Sequence, residues 1–320
     1  MNWKAIDRRS LNCSDWDSLI SGQTFFSTTQ WINVCAEGLS KNAQSLFLCG
    51  YEGNRLVCAL PGIVTSRWGI KSFYSLPYGT YGGISWGSDT TSVCKKDALA
   101  HISAYFRTTR FSRINIADYE GSLRDWTHTG MERRQAFTHI INLSGGEFHP
   151  SDKKIEQHIQ IGMKAEPEIV QISTSVEVDQ FYALYEATER RHGRSQPILP
   201  RRLFDVLFDH LNGTDMLYWI AVLAEGSMIG SQINFIFGDS LINWQTVSDY
   251  DMRHLKPNHL LLNAAITFAQ SCSISKINLG ASPPDATGLI DFKERWGGVR
   301  RDYEIISLTS PWLKALEKWR

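Results

Sequence analysis

The chain has 320 residues, of which 42% are hydrophobic and 21% charged, a composition that places it among folded globular proteins and excludes disordered and fibrous classes. Lysine plus arginine and aspartate plus glutamate stand at 33 each, so the bulk charge carries no footprint of a general nucleic-acid or membrane-surface binder; only a local basic groove stays open. The first residues include Asp7, Arg8, Arg9, Asp15 and Asp17 without an apolar block, and no window approaches the roughly 18 apolar residues of a spanning helix. A cytoplasmic protein without a transmembrane segment is therefore expected. Six cysteines (Cys13, Cys35, Cys49, Cys58, Cys94 and Cys272) show neither CxxC nor Cys/His spacing, which argues against a disulfide framework or a zinc site and for buried free thiols.

In chain order, residues 45–49 and 56–64 read as two strands joined by the turn Glu52-Gly53-Asn54. Pro77-Tyr78-Gly79-Thr80-Tyr81-Gly82-Gly83 holds three glycines in seven residues, too permissive for a strand interior, and reads as a loop. An amphipathic helix over 92–108 and a short strand over 113–116 follow. The breaker cluster Phe148-His149-Pro150-Ser151-Asp152 marks a boundary, with Ser151 as the cap of a helix reaching about residue 164. Beyond it the pattern predicts a strand at 168–173 and helices at 176–192 and 200–211. Strands at 218–224, 228–237 and 240–248 come next, the first two joined by Glu225-Gly226-Ser227. A helix at 257–271, a strand at 276–279, a short helix from Thr287 and a closing strand at 301–308 complete the chain. Meander, helix and strand thus occur twice, about half a chain length apart. The expected fold is α+β, two tandem domains at 1–150 and 151–320, each a mixed, mostly antiparallel sheet flanked by helices.

Arg190, Arg191, His192 and Arg194 form the densest basic cluster, at a helix C-terminus that Gly193 stops. The helix dipole favours cations there for structural reasons, while a functional reading makes the arginines phosphate ligands and His192 a general base. Trp244 is ordinarily a core residue on a strand. No glycine-rich nucleotide loop, His-Glu-x-x-His or Gly-x-Ser-x-Gly stands in the sequence, so kinase, metalloprotease and hydrolase readings lack support, and no metal is implied.

The tail is the most specific segment: Asn278-Leu279-Gly280-Ala281-Ser282, a Pro283-Pro284 loop, then Asp291-Phe292-Lys293-Glu294-Arg295-Trp296-Gly297-Gly298. It resembles the C-terminal signature of Fem-type transferases and their GNAT-like relatives, which include peptidoglycan cross-bridge aminoacyltransferases and exopolysaccharide-associated acetyltransferases. Glu189-Arg190-Arg191-His192-Gly193, Lys256-Pro257-Asn258-His259 and the loop from Pro77 to Gly83 extend the resemblance over most of the chain.

The resemblance implies two GNAT-like domains, the first on the acceptor side and the second on the acyl-donor side. It implies an N-acyltransferase in which an amine of a cell-envelope or polysaccharide precursor, or another small acceptor, attacks an activated acyl group directly in a ternary complex. Acyl-CoA or aminoacyl-tRNA would be the co-substrate, with no tightly bound cofactor and no DNA partner. Lys293 would stabilise charge on the carbonyl oxygen and His192 take the proton. Tyr78, Tyr81, Arg190, Arg191, Trp244, Gln245, Ser282 and Phe292 would contact substrate, with the two tyrosines facing a cleft between the domains. Arg253, Lys256 and Asn258 would hold the donor's phosphates at a helix N-terminus. Two departures bear on this. Asn278 stands where the family often has an acid, and Arg253-His254-Leu255-Lys256-Pro257-Asn258 lacks the closely spaced glycines of a CoA-pyrophosphate loop. The second favours the tRNA donor, which zero net charge opposes; the first supports an alternative, a degenerate transferase acting as a binding module.

Overall fold

A computed structural model describes residues 1–20, 23–88, 90–127 and 130–317. The elements of the first part are β1 (Asn2–Ile6), α1 (Cys13–Leu19), α2 (Thr29–Gly38), β2 (Gln44–Glu52), β3 (Arg55–Arg67), β4 (Ile70–Ser75), β5 (Ser85–Trp86), α3 (Ser92–Thr108), β6 (Arg113–Asp118) and β7 (Glu132–Asn142). There follow α4 (Lys153–Met163), β8 (Glu168–Gln171), α5 (Ser175–Arg191), α6 (Arg201–Leu211), β9 (Leu217–Ala224), β10 (Ser227–Phe237) and β11 (Ser240–Ser248). The last are α7 (Pro257–Ser271), β12 (Lys276–Ala281), α8 (Thr287–Arg295), β13 (Val299–Thr309) and α9 (Pro311–Glu317). The cap of α4 is Asp152, whose carboxylate accepts from Lys154 N at 2.9 Å, in place of the expected Ser151; the carboxylate is a stronger acceptor at a helix start. Among the cysteines, Cys35, Cys49 and Cys58 are buried as expected, whereas Cys13 and Cys272 are exposed, since each lies at a helix end.

The chain divides into two compact units, Met1–Ala136 with Asp302–Arg320, and Phe137–Arg301. The sequence reading placed the division at 150. In the first unit the strand order is β1-β2-β3-β4-β6-β13, antiparallel except for the parallel pair β4–β6 that α3 connects. In the second it is β7-β12-β11-β10-β9-β8, antiparallel except for β11–β12, connected by α7. Each unit is thus a meander, a crossover helix and a parallel return strand, the expected two-domain α+β fold.

The sixth strand of each unit comes from the other half of the sequence. Residues 304–309 of β13 pair with β6, Glu304 opposite Asp118 through Thr309 opposite Arg113, so the predicted closing strand of the second copy completes the first unit. Packing explains the exchange. Ile306 and Leu308 join Ile114 and Ile116 beneath Ala98, Ile102 and Phe106 of α3. Ile141 of β7 meanwhile joins Ile277 and Leu279 beneath Leu262, Ala265, Ile266 and Ala269 of α7. Burying such branched side chains is worth about 1.5–3 kcal/mol each. On the opposite face of the second sheet, Phe181 of α5 packs edge-on against Trp219 (4.9 Å between centroids) and against Phe204 of α6.

Candidate functional site

In the second unit β11 and β12 run parallel for only three pairs, Ser240–Lys276 through Ile242–Asn278, after which β11 continues to Ser248 paired with β10 alone. Gly280 marks the parting. Its φ is +72°, and a Cβ there would stand 2.8 Å from Asn243 O, so only glycine permits this turn of β12. Its N–H donates to Asn278 Oδ1 at 2.9 Å, a local bond that a carboxylate at 278 would make equally well. The opening carries Asn243, Trp244, Gln245 and Thr246 on one side and Gly280, Ala281 and Ser282 on the other.

Lys293 of α8 is buried (5% exposed) and braces that second side. Its Nζ donates to Gly280 O at 2.8 Å, Ala281 O at 3.2 Å and Ser282 Oγ at 2.9 Å. Burial lowers its pKa to about 7. Ser282 is therefore a partner of Lys293, and its N–H reaches Phe137 O at 3.4 Å. Phe292, the neighbour of Lys293, packs edge-on against His259 (5.2 Å) and against Trp296, within the core beneath α7. Trp244 is half-buried between Phe204 and Phe235, and Gln245 sits opposite Ile233 in the ladder.

Near the N-terminus of α7, Lys256 adopts a left-handed conformation (φ 57°), Pro257 occupies the first helical turn and Asn258 is exposed. Arg253 lies over the ring of Tyr250 at 4.2 Å and donates to Tyr250 O at 2.9 Å; Arg191 of α5 lies over the same ring at 5.1 Å. Two of the basic residues singled out in the sequence are thus joined by a tyrosine that was not. Arg190 instead faces Glu186 at 3.9 Å, and Arg194 bonds the buried Glu189 at 2.8 Å. His192 caps α5 and is exposed.

Three groups escaped the sequence reading. His139 on β7 is fully buried, with neither ring nitrogen hydrogen-bonded among the described residues and Nε2 3.8 Å from Glu294 Oε1. Burial, then the charge of Lys293, lowers its pKa. His158 Nδ1 of α4 meets His259 Nε2 of α7 at 3.1 Å, and burial followed by the charges of His158 and Lys256 lowers the pKa of His259 to about 4. Gln232, Asn234, Asn243 and Thr246 form a network behind the opening, with Gln232 Nε2 to Thr246 Oγ1 and Asn243 Nδ2 to Thr246 Oγ1 both at 3.1 Å. Gln232 and Asn234, large polar residues at alternate positions of a strand that otherwise holds apolar and small residues, were the available signal.

The equivalent place in the first unit is closed. Beyond Ser75–Ile116 the chain folds back: Ser75 Oγ bonds Gly82 O, Gly82 N donates to Ala117 O at 3.0 Å, and Ala117 N donates to Ser75 Oγ at 3.2 Å. Tyr81 is 1% exposed and stacks on Tyr119 at 4.1 Å with Tyr303 at its edge, so it offers a ligand no surface. Tyr78 is 46% exposed and lines a cavity of about 1020 Å³.

Residues 153–294 match the family described as "Acetyltransferase (GNAT) domain". The match covers 142 of the 320 residues and falls within the second unit. No curated protein sequence matches it. Among solved structures it is similar in fold to FemX, with a TM-score of 0.67 at 11% identity over 95% of this chain and 97% of that one. A tandem GNAT protein from the clavulanic acid biosynthesis pathway gives 0.58 at 12% identity over 96% and 98%. The C-terminal domain of a putative lysylphosphatidylglycerol synthetase from Agrobacterium fabrum gives 0.58 at 10% over 96% and 94%. These likenesses concern the fold, and the tandem two-domain architecture expected from the sequence is the one observed. Among the described residues no helix is long and apolar enough to cross a membrane.

Proposed function

We propose that this protein moves an acyl group from acyl-CoA or aminoacyl-tRNA in the cytoplasm to the amine of a cell-envelope or polysaccharide precursor. The observation that carries the reading is the opening between β11 and β12 over a floor held by Lys293. Past Ile242 the β11 edge has lost its parallel neighbour, which leaves backbone groups able to hold an extended acyl chain as an added strand would be held. As the amine attacks, negative charge grows on the carbonyl oxygen. The ammonium of Lys293, set behind Gly280–Ser282, stabilises that charge more than it stabilises the ground state. His192, next to Arg191 at the end of α5, takes the amine's proton. Arg253, Lys256 and Asn258 at the start of α7, with Arg191 across Tyr250, bind the donor's phosphates.

Two measurements test the reading. Lys293→Ala should lower kcat/KM by about ten- to a thousand-fold, the range seen on losing one charge-stabilising group, and, because Nζ braces Gly280, Ala281 and Ser282, should lower the melting temperature as well, so the loss of turnover is read at a temperature where the variant is folded. Acyl-CoAs and charged tRNA, screened by thermal shift, should include one donor that stabilises the fold by about 2.7 kcal/mol at a hundred times its Kd. If neither class shifts the transition, the transferase reading fails.

A further inference from the structure

The cavity in the first unit has no part in the opening just described. Strand period places Ser72 and Tyr74 of β4, Arg113, Asn115 and Ala117 of β6, and Tyr303 and Ile305 of β13 on one face of the sheet, and this face lines the cavity. Their neighbours Phe73, Ile114, Ile116 and Ile306 point to the other face, into the core under α3. A sheet face bearing serine, asparagine and tyrosine, enclosing about 1020 Å³ at the upper end of small-molecule sites, is not a packing surface.

The rim carries backbone strain. Trp68, Leu76 and Tyr78 have φ of 50°, 63° and 62°, a region bulky side chains avoid, and all three line this one cavity. Trp68 is the sharpest case. Arg67 pairs with Ile70, so Trp68-Gly69 is a two-residue hairpin turn with both φ positive, where the first place ordinarily goes to asparagine, aspartate or glycine. Trp68 is 77% exposed, with the Arg67 guanidinium over its ring at 4.2 Å. An exposed indole kept in a strained turn beside a cavity is a platform for a flat ligand face.

The lining chemistry narrows the ligand. Trp68, Tyr74, Tyr78 and Tyr303 supply aromatic surface; Asn42 and Asn115 supply side-chain amides that both donate and accept; Ser66, Ser72 and Thr65 add hydroxyls. None of the described lining residues is acidic, and the two basic ones are both engaged within the protein, Arg67 over the Trp68 ring and Arg113 with a partner of its own. Aromatic faces for ring C–H groups and paired donors and acceptors for ring hydroxyls are the requirements of a pyranose, and the absence of carboxylates removes the partner an ammonium ligand would need. We propose that the first unit binds a neutral oligosaccharide in this cavity, stacked on Trp68 and Tyr78 and hydrogen-bonded by Asn42 and Asn115. The inference rests on the first unit alone and goes beyond the acyl transfer.

The test is calorimetric titration of the full chain with di- to hexasaccharides of β-1,4-linked glucose and of β-1,4-linked N-acetylglucosamine. Saturable binding that tightens with ring number is expected in one series. Trp68→Gly suits the backbone better than tryptophan, so its melting temperature should equal or exceed the parent's while saccharide affinity falls at least about tenfold, and Asn115→Ala should weaken binding without loss of fold. Absence of saturable binding in both series, an affinity unchanged by Trp68→Gly, or binding confined to phosphorylated sugars overturns the proposal. Lys293→Ala separates the two readings: lost transfer with no saccharide binding in the parent strikes the cavity alone, whereas intact transfer in Lys293→Ala alongside saccharide binding strikes the acyl-transfer reading alone.

Discussion

Lys293 donates to three neutral oxygens, those of Gly280, Ala281 and Ser282, and its pKa of about 7 follows from burial. Its charge is consequently a function of pH across the physiological range. If the ammonium is the form that assists transfer, the advantage of the parent enzyme over Lys293→Ala should be greatest below pH 7 and shrink as pH rises through it. The ratio of the two kcat/KM profiles cancels the titration of the acceptor amine, and a ratio constant from pH 6 to 9 would assign Lys293 to structure. His259 shows the opposite use of burial. Its pKa is about 4 folded against an ordinary 6.5, so the unfolded chain binds more protons between those values, and stability should fall as pH drops from 6.5 to 4. The undiscounted ceiling lies between about 3 and 4 kcal/mol, and solvent screening of the partly exposed ring makes the loss smaller; denaturant midpoints of His259→Phe should show a flatter acid limb. Lys293 was legible in the sequence because Phe-Lys-x-x-Trp-Gly is a local pattern. The pairing of His158 with His259 was not, since the two lie 101 residues apart and meet only because α4 packs on α7.

At the scale of elements, the hairpins at Glu52-Gly53-Asn54 and Glu225-Gly226-Ser227, and helices α3 and α7, were readable because turn residues and a 3.6 period are written locally. β7 was not: Arg133, Arg134 and Gln135 break the alternation, and its later residues take a strand's role through pairing with the distant β12. Which sheet edge a strand joins is decided by distant residues. Residues 138–142 pair with β12, so a fragment beginning at Ser151 strips that strand and leaves an open edge beside Ile277. Residues 137–301 should unfold cooperatively in urea, while 151–301 should aggregate or melt without a cooperative transition. Equal stability of the two fragments would show that β7 contributes little to the second unit.

For the whole molecule, zero net charge removes long-range attraction for a polyanion, so any tRNA must be held by local contacts. Arg295 is already engaged with Asp291 at 2.9 Å and Asp152 at 3.8 Å, and Arg300 lies over Phe137 at 4.0 Å. On the proposed function, Arg253, Lys256 and Arg191 would carry a donor's phosphates. Donor affinity should fall with a log–log salt slope of about −0.7 to −0.9 per phosphate engaged, steep for charged tRNA and shallow for acyl-CoA. Arg253→Ala should reduce the slope by about one contact; a slope indifferent to Arg253 and Arg191 would place the donor elsewhere. The return of β13 to β6 also fixes an order of events during synthesis. Every residue of the unit 137–301 leaves the ribosome before residues 302–309 do, so the part of the protein translated first is the part whose fold is completed last. Until then β6 waits with an unpaired edge, and a chain cut after residue 301 would lack that partner strand and leave the N-terminal unit incomplete while keeping every residue of 137–301.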